Sequence, residues 1–414
     1  VNIALLGFGT IGTGVYELIN LHKGRFADNL DEPIYITKIL DRDPNKKVDP
    51  SDHHCEIVTD PDLIMNDPEI KIVISLLGGM EFEYKMIKTA LEHDKNVVTA
   101  SKAVLSEYFA ELNAIADEHH VFLRYEAAVG GGIPIIGSLN EELKINHIDE
   151  IMGILNGTTN FILSNMTENN ADFDETLKLA QKIGFAEADP TADIEGYDVS
   201  RKLAILSTLA YGGIIRDEDI KKRGLSDVEA VDVEMVKSIG YVIKYLGHSK
   251  LLNKNQVYTT VEPVLFPNES MMGHVDSEFN IISIKGDVIG ELQFYGKGAG
   301  KDATANAVVG DVLYVINSLK EERNPHYKTL DKDLHKMGNS GFSGRYYLRV
   351  HVTNNDELAY VMSVMNADKG RGQIVVSGDD VFFTTSEIQA DVFDSLVERL
   401  KERTPKLFYA RIYE

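Results

Sequence analysis

The 414-residue chain has a single cysteine, Cys55, so no internal disulfide can form, which suits a reducing, cytoplasmic setting. No apolar run approaches the length of a membrane span and no secretory signal is visible, so neither a membrane nor export is implied. The start at Val1 rather than Met leaves room for a removed leader. Positive charge is scarce: 42 Lys and Arg stand against 65 Asp and Glu, a formal net charge of −23. A nucleic-acid backbone would be repelled, although a local basic patch can still hold one anionic cofactor. His53-His54-Cys55 and His119-His120 lack the partners and spacing of a zinc site. Gly296-Lys297-Gly298-Ala299-Gly300-Lys301-Asp302 is one residue short of a P-loop and ends on Asp302 where Ser or Thr is needed. What remains is an ordinary globular composition, 43% hydrophobic and 26% charged, long enough for two or three domains.

The chain opens with a short apolar strand, Asn2 to Leu6, followed at once by Gly7-Phe8-Gly9-Thr10-Ile11-Gly12 and a helical pattern through Val15, Leu18 and Ile19. This is G-x-G-x-x-G in its strand–turn–helix context. Gly7 permits the tight turn, Gly9 lets a pyrophosphate approach the backbone, and Gly12 lets helix and strand pack closely. The helix N-terminus then faces the anion. A second strand, Ile34 to Leu40, ends at Asp41-Arg42, further from the glycines than usual, so the first helix and its loop must be long. Strands at Ile72–Leu76, Asn96–Thr99 and Val121–Arg124 alternate with helices near 81–93 and 106–118, which predicts a doubly wound parallel sheet. Ligand contacts belong after strand C-termini, at Ser75, Leu77-Gly78-Gly79 and Ala100-Ser101-Lys102.

Glu126 leads into the turn Val129-Gly130-Gly131-Gly132-Ile133-Pro134, either a carbonyl cage for a hard cation or a hinge. Ile148 to Leu155 reads as a strand running into Asn156-Gly157-Thr158-Thr159-Asn160, which would hold a carboxylate at a helix N-terminus or simply cap the helix. Gly184 ends a helix beginning at Asp174, and the acidic segment Glu187, Asp189, Asp193, Glu195 follows. From Asp198 the pattern is helical, with Val199, Leu203, Leu206 and Ala210 in one stripe and Asp198 and Lys202 four apart on one face. These residues describe either a site with a proton-handling amine or an acidic loop and a surface ion pair. Ser226 and Glu229 predict a capping box for a helix over 227–247. Antiparallel strands follow at Val257–Leu265, Ile281–Ile284 and Val288–Phe294, then a helix from Ala303 to Leu319.

Taken together, Gly7 to Gly12, Ala100-Ser101-Lys102-Ala103, Glu126 to Pro134, Asn156 to Asn160, Glu187 to Lys202 and Gly296 to Gly310 resemble homoserine dehydrogenase over essentially the whole chain. The glycine motif is generic; the Asn-Gly-Thr-Thr-Asn run and the segment ending Asp198-Val199-Ser200-Arg201-Lys202 are specific. The resemblance implies NAD(P)-dependent interconversion of L-homoserine and L-aspartate β-semialdehyde, in threonine, methionine and isoleucine biosynthesis. It gives Lys202 the acid/base role with Lys102 beside it, and Asp198 the orienting of Lys202 or a water. Glu187 and Asp193 would hold the substrate ammonium, with Thr158 and Tyr197 also on the substrate. Cofactor contacts would come from Gly7, Phe8, Gly9, Thr10, Ile11, Gly12, Arg42, Ser75, Gly78, Ser101, Lys102, Gly184 and Gly300. Glu126 and the carbonyls of Val129, Gly131 and Ile133 match the family's monovalent-cation site, expected to take sodium.

The fold class expected is α/β, with a Rossmann-type doubly wound parallel sheet, an inserted α/β catalytic and dimerisation region, and a C-terminal βαββαβ ACT-like domain. The domains would be 1–130 plus 302–320 for the dinucleotide, 131–301 for catalysis and dimerisation, 321–344 as a linker, and 345–414. The loop Thr353-Asn354-Asn355-Asp356-Glu357 lacks the glycine with which many ACT domains admit a ligand, so the module is regulatory or purely structural. A homodimer acting on a small molecule is expected. The rival readings are a related amino-acid dehydrogenase and a catalytically silent regulator, and the latter has no use for Lys102, Glu187, Asp198 and Lys202. Asp41 favours NADH and the cluster Arg42, Lys46, Lys47 favours NADPH; the three cations tip the expectation to NADPH.

Overall fold

The structure, a computed structural model, describes residues 1–49, 52–325, 327, 329–367 and 371–414. The chain divides into two compact units. One comprises Val1–Ile145, Ala204–Arg216 and Gly296–Lys332, the other Asn146–Leu203, Asp217–Tyr295 and Asp333–Glu414.

The first unit is built on strands β1 (Asn2–Leu6), β2 (Tyr35–Leu40), β3 (Glu56–Val58), β4 (Ile70–Ser75), β5 (Asn96–Thr99) and β6 (Leu123–Arg124). They are hydrogen-bonded in the order β3-β2-β1-β4-β5-β6, every pair parallel. The order reverses between β1 and β4, which opens a crevice above their C-terminal ends. Two helices, Thr10–Leu21 and Lys23–Leu30, separate β1 from β2 and account for the wide spacing between the glycines and Asp41. The three-residue β3 is too short to leave a periodic signal and was not expected from the sequence. The late helix Lys301–Lys320 packs Val308, Val312, Val315 and Ile316 into one apolar cluster with Ile3, Leu5, Val15 and Ile19.

The second unit carries a mixed sheet. Its main path runs Gly290–Lys297, Phe279–Gly286, Ile148–Ile154, Tyr241–Leu251, Gln256–Pro267, Leu407–Ile412, Ser343–His351, Asp380–Thr385, Arg371–Ser377. The expected helix over 227–247 is corrected here: only Ala230–Ser238 is helical, and Tyr241–Leu251 is a central strand. Gly240, at φ 85°, breaks the helix. Residues 242–249 are buried on both faces of the sheet, so the strand lacks the polar alternation that would have revealed it. The capping box lies one turn later than expected, between Glu229 and Asp232. The helix Tyr197–Tyr211 is buried at every residue except Tyr197 and Arg201, well beyond the single stripe expected.

The C-terminal strands Ser343–His351, Arg371–Ser377, Asp380–Thr385 and Leu407–Ile412, with helices Asn355–Ala367 and Ala390–Lys401, follow a βαββαβ order. All their mutual pairings are antiparallel, and in sequence order the strands lie 4-1-3-2. Parallel pairing of Val264 with Arg411 and Leu265 with Ile412 joins them to the middle of the sheet. The interval 321–344 contributes a two-residue strand, His335–Lys336, beside Gln256 and Val257.

Candidate active site

In the first unit the turn after β1 is shaped by two close approaches. A Cβ on Gly7, at φ 96°, would lie 2.5 Å from the Leu76 carbonyl oxygen, and one on Gly12 would lie 2.1 Å from the Gly7 carbonyl oxygen. Gly9 faces open space. Helix Thr10–Leu21 has no side-chain cap on Gly9 and no acidic residue in its first turn. Phe8, Thr10 and Ile11 thus sit at a helix start whose amides suit the phosphates of a dinucleotide.

At the end of β2 the Asp41 carboxylate turns back towards this turn. It accepts the Phe8 amide at 3.1 Å and the Lys46 ammonium at 2.8 Å through Oδ2, and the Asp43 amide at 3.0 Å through Oδ1. Burial alone would raise its pKa, but the Lys46 hydrogen bond, the two amides and the Lys46 charge bring it below the ordinary value. Lys46 also donates to the Phe8 carbonyl at 2.6 Å. Arg42 is exposed. Lys46 and Lys47 line a cavity of about 1020 Å³ beside Phe8 and Tyr16.

Ser75 is fully buried at the end of β4, and its hydroxyl donates to Glu83 at 3.0 Å. Gly78 borders open space. Ser101 precedes helix Lys102–Glu118, its amide on the Thr99 hydroxyl at 3.1 Å, so Lys102 opens that helix. Gly300, at φ 116°, precedes helix Lys301–Lys320.

Glu126 is nearly buried and accepts the amides of Ile136 at 2.6 Å and Gly137 at 2.8 Å. Burial pushes its carboxyl up, the Gly137 amide opposes this, and the buried Asp311 carboxylate nearby adds to the rise. Asp311 also accepts the Glu126 amide at 2.8 Å and the Arg124 guanidinium at 2.9 Å. Val129, Gly131 and Ile133 form the turn that follows, and a Cβ on Gly131 would come within 2.4 Å of the Gly298 carbonyl oxygen. Among the described residues no three His, Cys, Asp or Glu side chains cluster as metal ligands. This oxygen-rich turn with one carboxylate is chemically suited to a hard monovalent cation.

In the second unit Lys202 is 6% exposed, and its ammonium donates to the Leu155 carbonyl at 2.6 Å and to Asp198 at 2.8 Å. The surface-pair alternative is excluded, because Asp198 is 5% exposed. Asn156 gathers this cluster: its Nδ2 donates to Asp193 at 2.7 Å and to Asp198 at 2.9 Å. Its Oδ1 accepts the Thr159 amide at 2.8 Å, a helix cap of the kind that contributes ~1 kcal/mol. Thr158 gives its hydroxyl to the Phe185 carbonyl at 2.6 Å. Glu187 is exposed, and its carbonyl is held by Gln181 at 3.1 Å. Gly184, at φ 84°, ends helix Phe173–Ile183. Tyr197 is 39% exposed, with the Lys222 ammonium 5.6 Å from its ring.

Three residues of these clusters were not singled out as site residues by their sequence context. Asn156 was visible only as part of a motif, although an Asn directly before a helix is a cap signal. In the sequence Lys46 is one of three nearby cations, and nothing local marks it as the partner of Asp41. Glu83 carried the clearest signal: a carboxylate on the apolar face of helix Met80–Glu92, one turn before the buried Ile87.

A family model described as "Homoserine dehydrogenase, NAD binding domain" matches residues 7–126, and one described as "Homoserine dehydrogenase" matches residues 134–313. A homoserine dehydrogenase of Synechocystis sp. is 40% identical over 331 residues, 78% of this chain and 76% of its own length. The crystal structure of a homoserine dehydrogenase from Thiobacillus denitrificans has a TM-score of 0.92 and 32% identity, covering 100% of this chain and 98% of that one. A hyperthermophilic archaeal homoserine dehydrogenase in complex with NADPH has a TM-score of 0.65 and 25% identity, covering 77% of this chain and 98% of that one.

Proposed function

Because the chain belongs to the homoserine dehydrogenase family, NAD(P)-dependent oxidoreductases of amino-acid biosynthesis, we propose that Lys202 is its proton donor and acceptor at the substrate oxygen. The observation that carries this is the buried Lys202 ammonium between Asp198 and the Leu155 carbonyl. A buried lysine held by one carboxylate and one carbonyl is a costly arrangement that function explains better than stability does. A nicotinamide held by the first unit would supply the hydride chemistry at the alcohol or aldehyde carbon. Lys202 as the amine removes the hydroxyl proton of L-homoserine; as the ammonium it returns a proton to the oxygen of L-aspartate β-semialdehyde. Asp198 orients the amine through the 2.8 Å contact, and Asn156 fixes Asp198. Glu187 and Asp193 receive the substrate ammonium, Thr158 and Tyr197 border it, and Lys102 serves at the cofactor–substrate junction. Turnover of L-homoserine with NADP⁺ and with NAD⁺, followed by nicotinamide absorbance, tests the activity. No turnover with either would refute it.

For the cofactor we read NADPH as preferred. Asp41 is compensated by Lys46, which lessens the repulsion a 2′-phosphate would meet, and the exposed Arg42 next to it is proposed as the phosphate's cationic partner. The NADPH complex of the archaeal relative is in keeping with this reading. Gly184 and Gly300 remain proposed cofactor contacts, as do the turn residues, Ser75, Gly78 and Ser101. Glu126 with the carbonyls of Val129, Gly131 and Ile133 is proposed to hold sodium.

A cytoplasmic homodimer is proposed, supported by exposed Val288, Ile289 and Tyr295 at or beside the edge strand Gly290–Lys297. Sedimentation of a single monomeric species at micromolar concentration would overturn it. The C-terminal elements are read as an ACT-like module, supported by the 4-1-3-2 strand order, and calorimetric titration with L-threonine tests whether it takes an effector.

A further inference from the structure

We propose that Glu83 is a positioning residue of the cofactor site: a buried carboxylate that binds loops 76–79 and 100–102 together and so holds the floor that receives the nicotinamide cofactor. It deepens the reading above that these two loops border the cofactor.

Glu83 lies in the first turn of helix Met80–Glu92, is 4% exposed, and shares its helix with the buried apolar Met86, Ile87, Ala90 and Leu91. A carboxylate in such a place is unfavourable unless its hydrogen bonds are made. Its Oε1 accepts the Ser75 hydroxyl at 3.0 Å and the Leu77 amide at 3.2 Å, and its side chain is also hydrogen-bonded to Ser101. Ser75 and Thr99 are neighbours across β4 and β5, so one side chain fastens the loops that leave two adjacent strand ends. The first of these loops is also locked to the glycine turn. The Leu76 amide donates to the Leu6 carbonyl at 2.8 Å, and the Leu76 carbonyl fills the space where a Gly7 Cβ would be. The C-terminal ends of β1, β4 and β5 are therefore joined around the switch point, with Glu83 supplying the link between the last two.

The bonds are spent outside the residue's own helix, on two hydroxyls and one amide that all have a donor to give. Burial raises the pKa of Glu83, while the Ser101, Ser75 and Leu77 bonds oppose the rise. A glutamine in its place keeps one acceptor for Ser75 and Leu77, and its NH₂ can donate to the Ser101 hydroxyl. Alanine removes all three bonds and leaves the donors unpaired.

The test combines calorimetric titration of NADPH with amide hydrogen exchange of loops 76–79 and 100–102, on wild type, Glu83→Ala, Glu83→Gln and Ser101→Ala. Expected for Glu83→Ala are faster exchange in both loops and about a tenfold rise in the NADPH Kd, the scale of a lost charge-assisted hydrogen bond, with amide exchange in helix Gly157–Asn169 of the second unit unchanged. Glu83→Gln should recover most of the affinity. Ser101→Ala, which keeps the core intact, should speed exchange in loop 100–102 alone. An NADPH Kd unchanged in Glu83→Ala, or exchange that speeds up equally in helix Gly157–Asn169, would overturn the assignment. If wild type binds NADPH without protecting either loop, the underlying reading of the loops fails instead, and the proposal with it.

Discussion

The Asn156 amide lies 2.9 Å from the Asp198 Oδ2 atom, the same oxygen that the Lys202 ammonium approaches to 2.8 Å. One Oδ2 atom thus accepts both the loop after strand Ile148–Ile154 and the lysine, and the lysine's position depends on an asparagine 46 residues earlier in the chain. Lys202→Ala should lower kcat about 100-fold or more, the usual scale for a positioned proton donor, while NADPH binding by calorimetry stays near wild type. A near-normal kcat would remove Lys202 from the acid/base role.

Glu187 is exposed, and its backbone carbonyl is pinned by Gln181, so its carboxylate can meet a substrate ammonium without breaking a structural bond that holds the loop. Glu187→Gln should weaken homoserine binding about tenfold, the loss of one charge-assisted hydrogen bond, and change cofactor binding by less than about twofold. Equal losses for both ligands in titration calorimetry would count against the assignment.

The cation reading places a hard ion beside the buried Glu126 carboxylate. Activity should rise with sodium or potassium over a choline control and be indifferent to zinc, and Glu126→Gln should flatten that response. A zinc requirement, or full activity without any small monovalent cation, would refute it.

Asp41 and Lys46 neutralise one another, so cofactor preference should be set by Arg42. In Arg42→Ala, kcat/KM with NADPH should fall about tenfold and that with NADH hardly at all, as expected for one lost phosphate contact. Asp41→Asn should lower kcat/KM with NADH by putting a neutral amide oxygen where a ribose hydroxyl would meet a carboxylate, and should release the Lys46 ammonium from its ion pair. A wild-type enzyme that strongly favours NADH would show that the compensated aspartate still dominates.

His248 is buried between Glu150, 2.8 Å from its Nε2, and Tyr413, whose hydroxyl meets its Nδ1. Burial lowers its pKa, only partly opposed by Glu150. A histidine whose folded pKa lies below the unfolded value of about 6.5 binds fewer protons folded than unfolded as the pH drops through that range. Its contribution to stability is therefore present above about pH 6.5 and is lost below it. The Tm of wild type should fall between about pH 7.5 and about pH 5.5 by more than that of His248→Gln. Parallel pH profiles for the two proteins would exclude His248 as the cause.

Much of the first unit was legible because its signals are local: a glycine turn, apolar parallel strands, and helices between them. The Asp198–Lys202 pair was legible from spacing alone, but its burial was not, since nothing in a four-residue interval says what packs over it. Strand Tyr241–Leu251 was misread as helix because both of its faces are covered, which erases the period of two, and only Gly240 marked the boundary. The Asp41–Lys46 and Glu83–Ser75 contacts, and that of Glu83 with Ser101, join loops brought together by the sheet, so composition and periodicity carry no trace of them.

Strand Leu407–Ile412 lies between Gln256–Pro267 and Ser343–His351. Both neighbours precede it in the chain, and the side of Gln256–Pro267 that it joins is also met by Lys221–Lys222 and His335–Lys336, so what waits for 407–412 is the Val264–Leu265 end of one strand and the facing side of Ser343–His351. Until 407–412 is available, those two edges are open to pairing with another chain. Of these three strands, the one latest in sequence joins the other two.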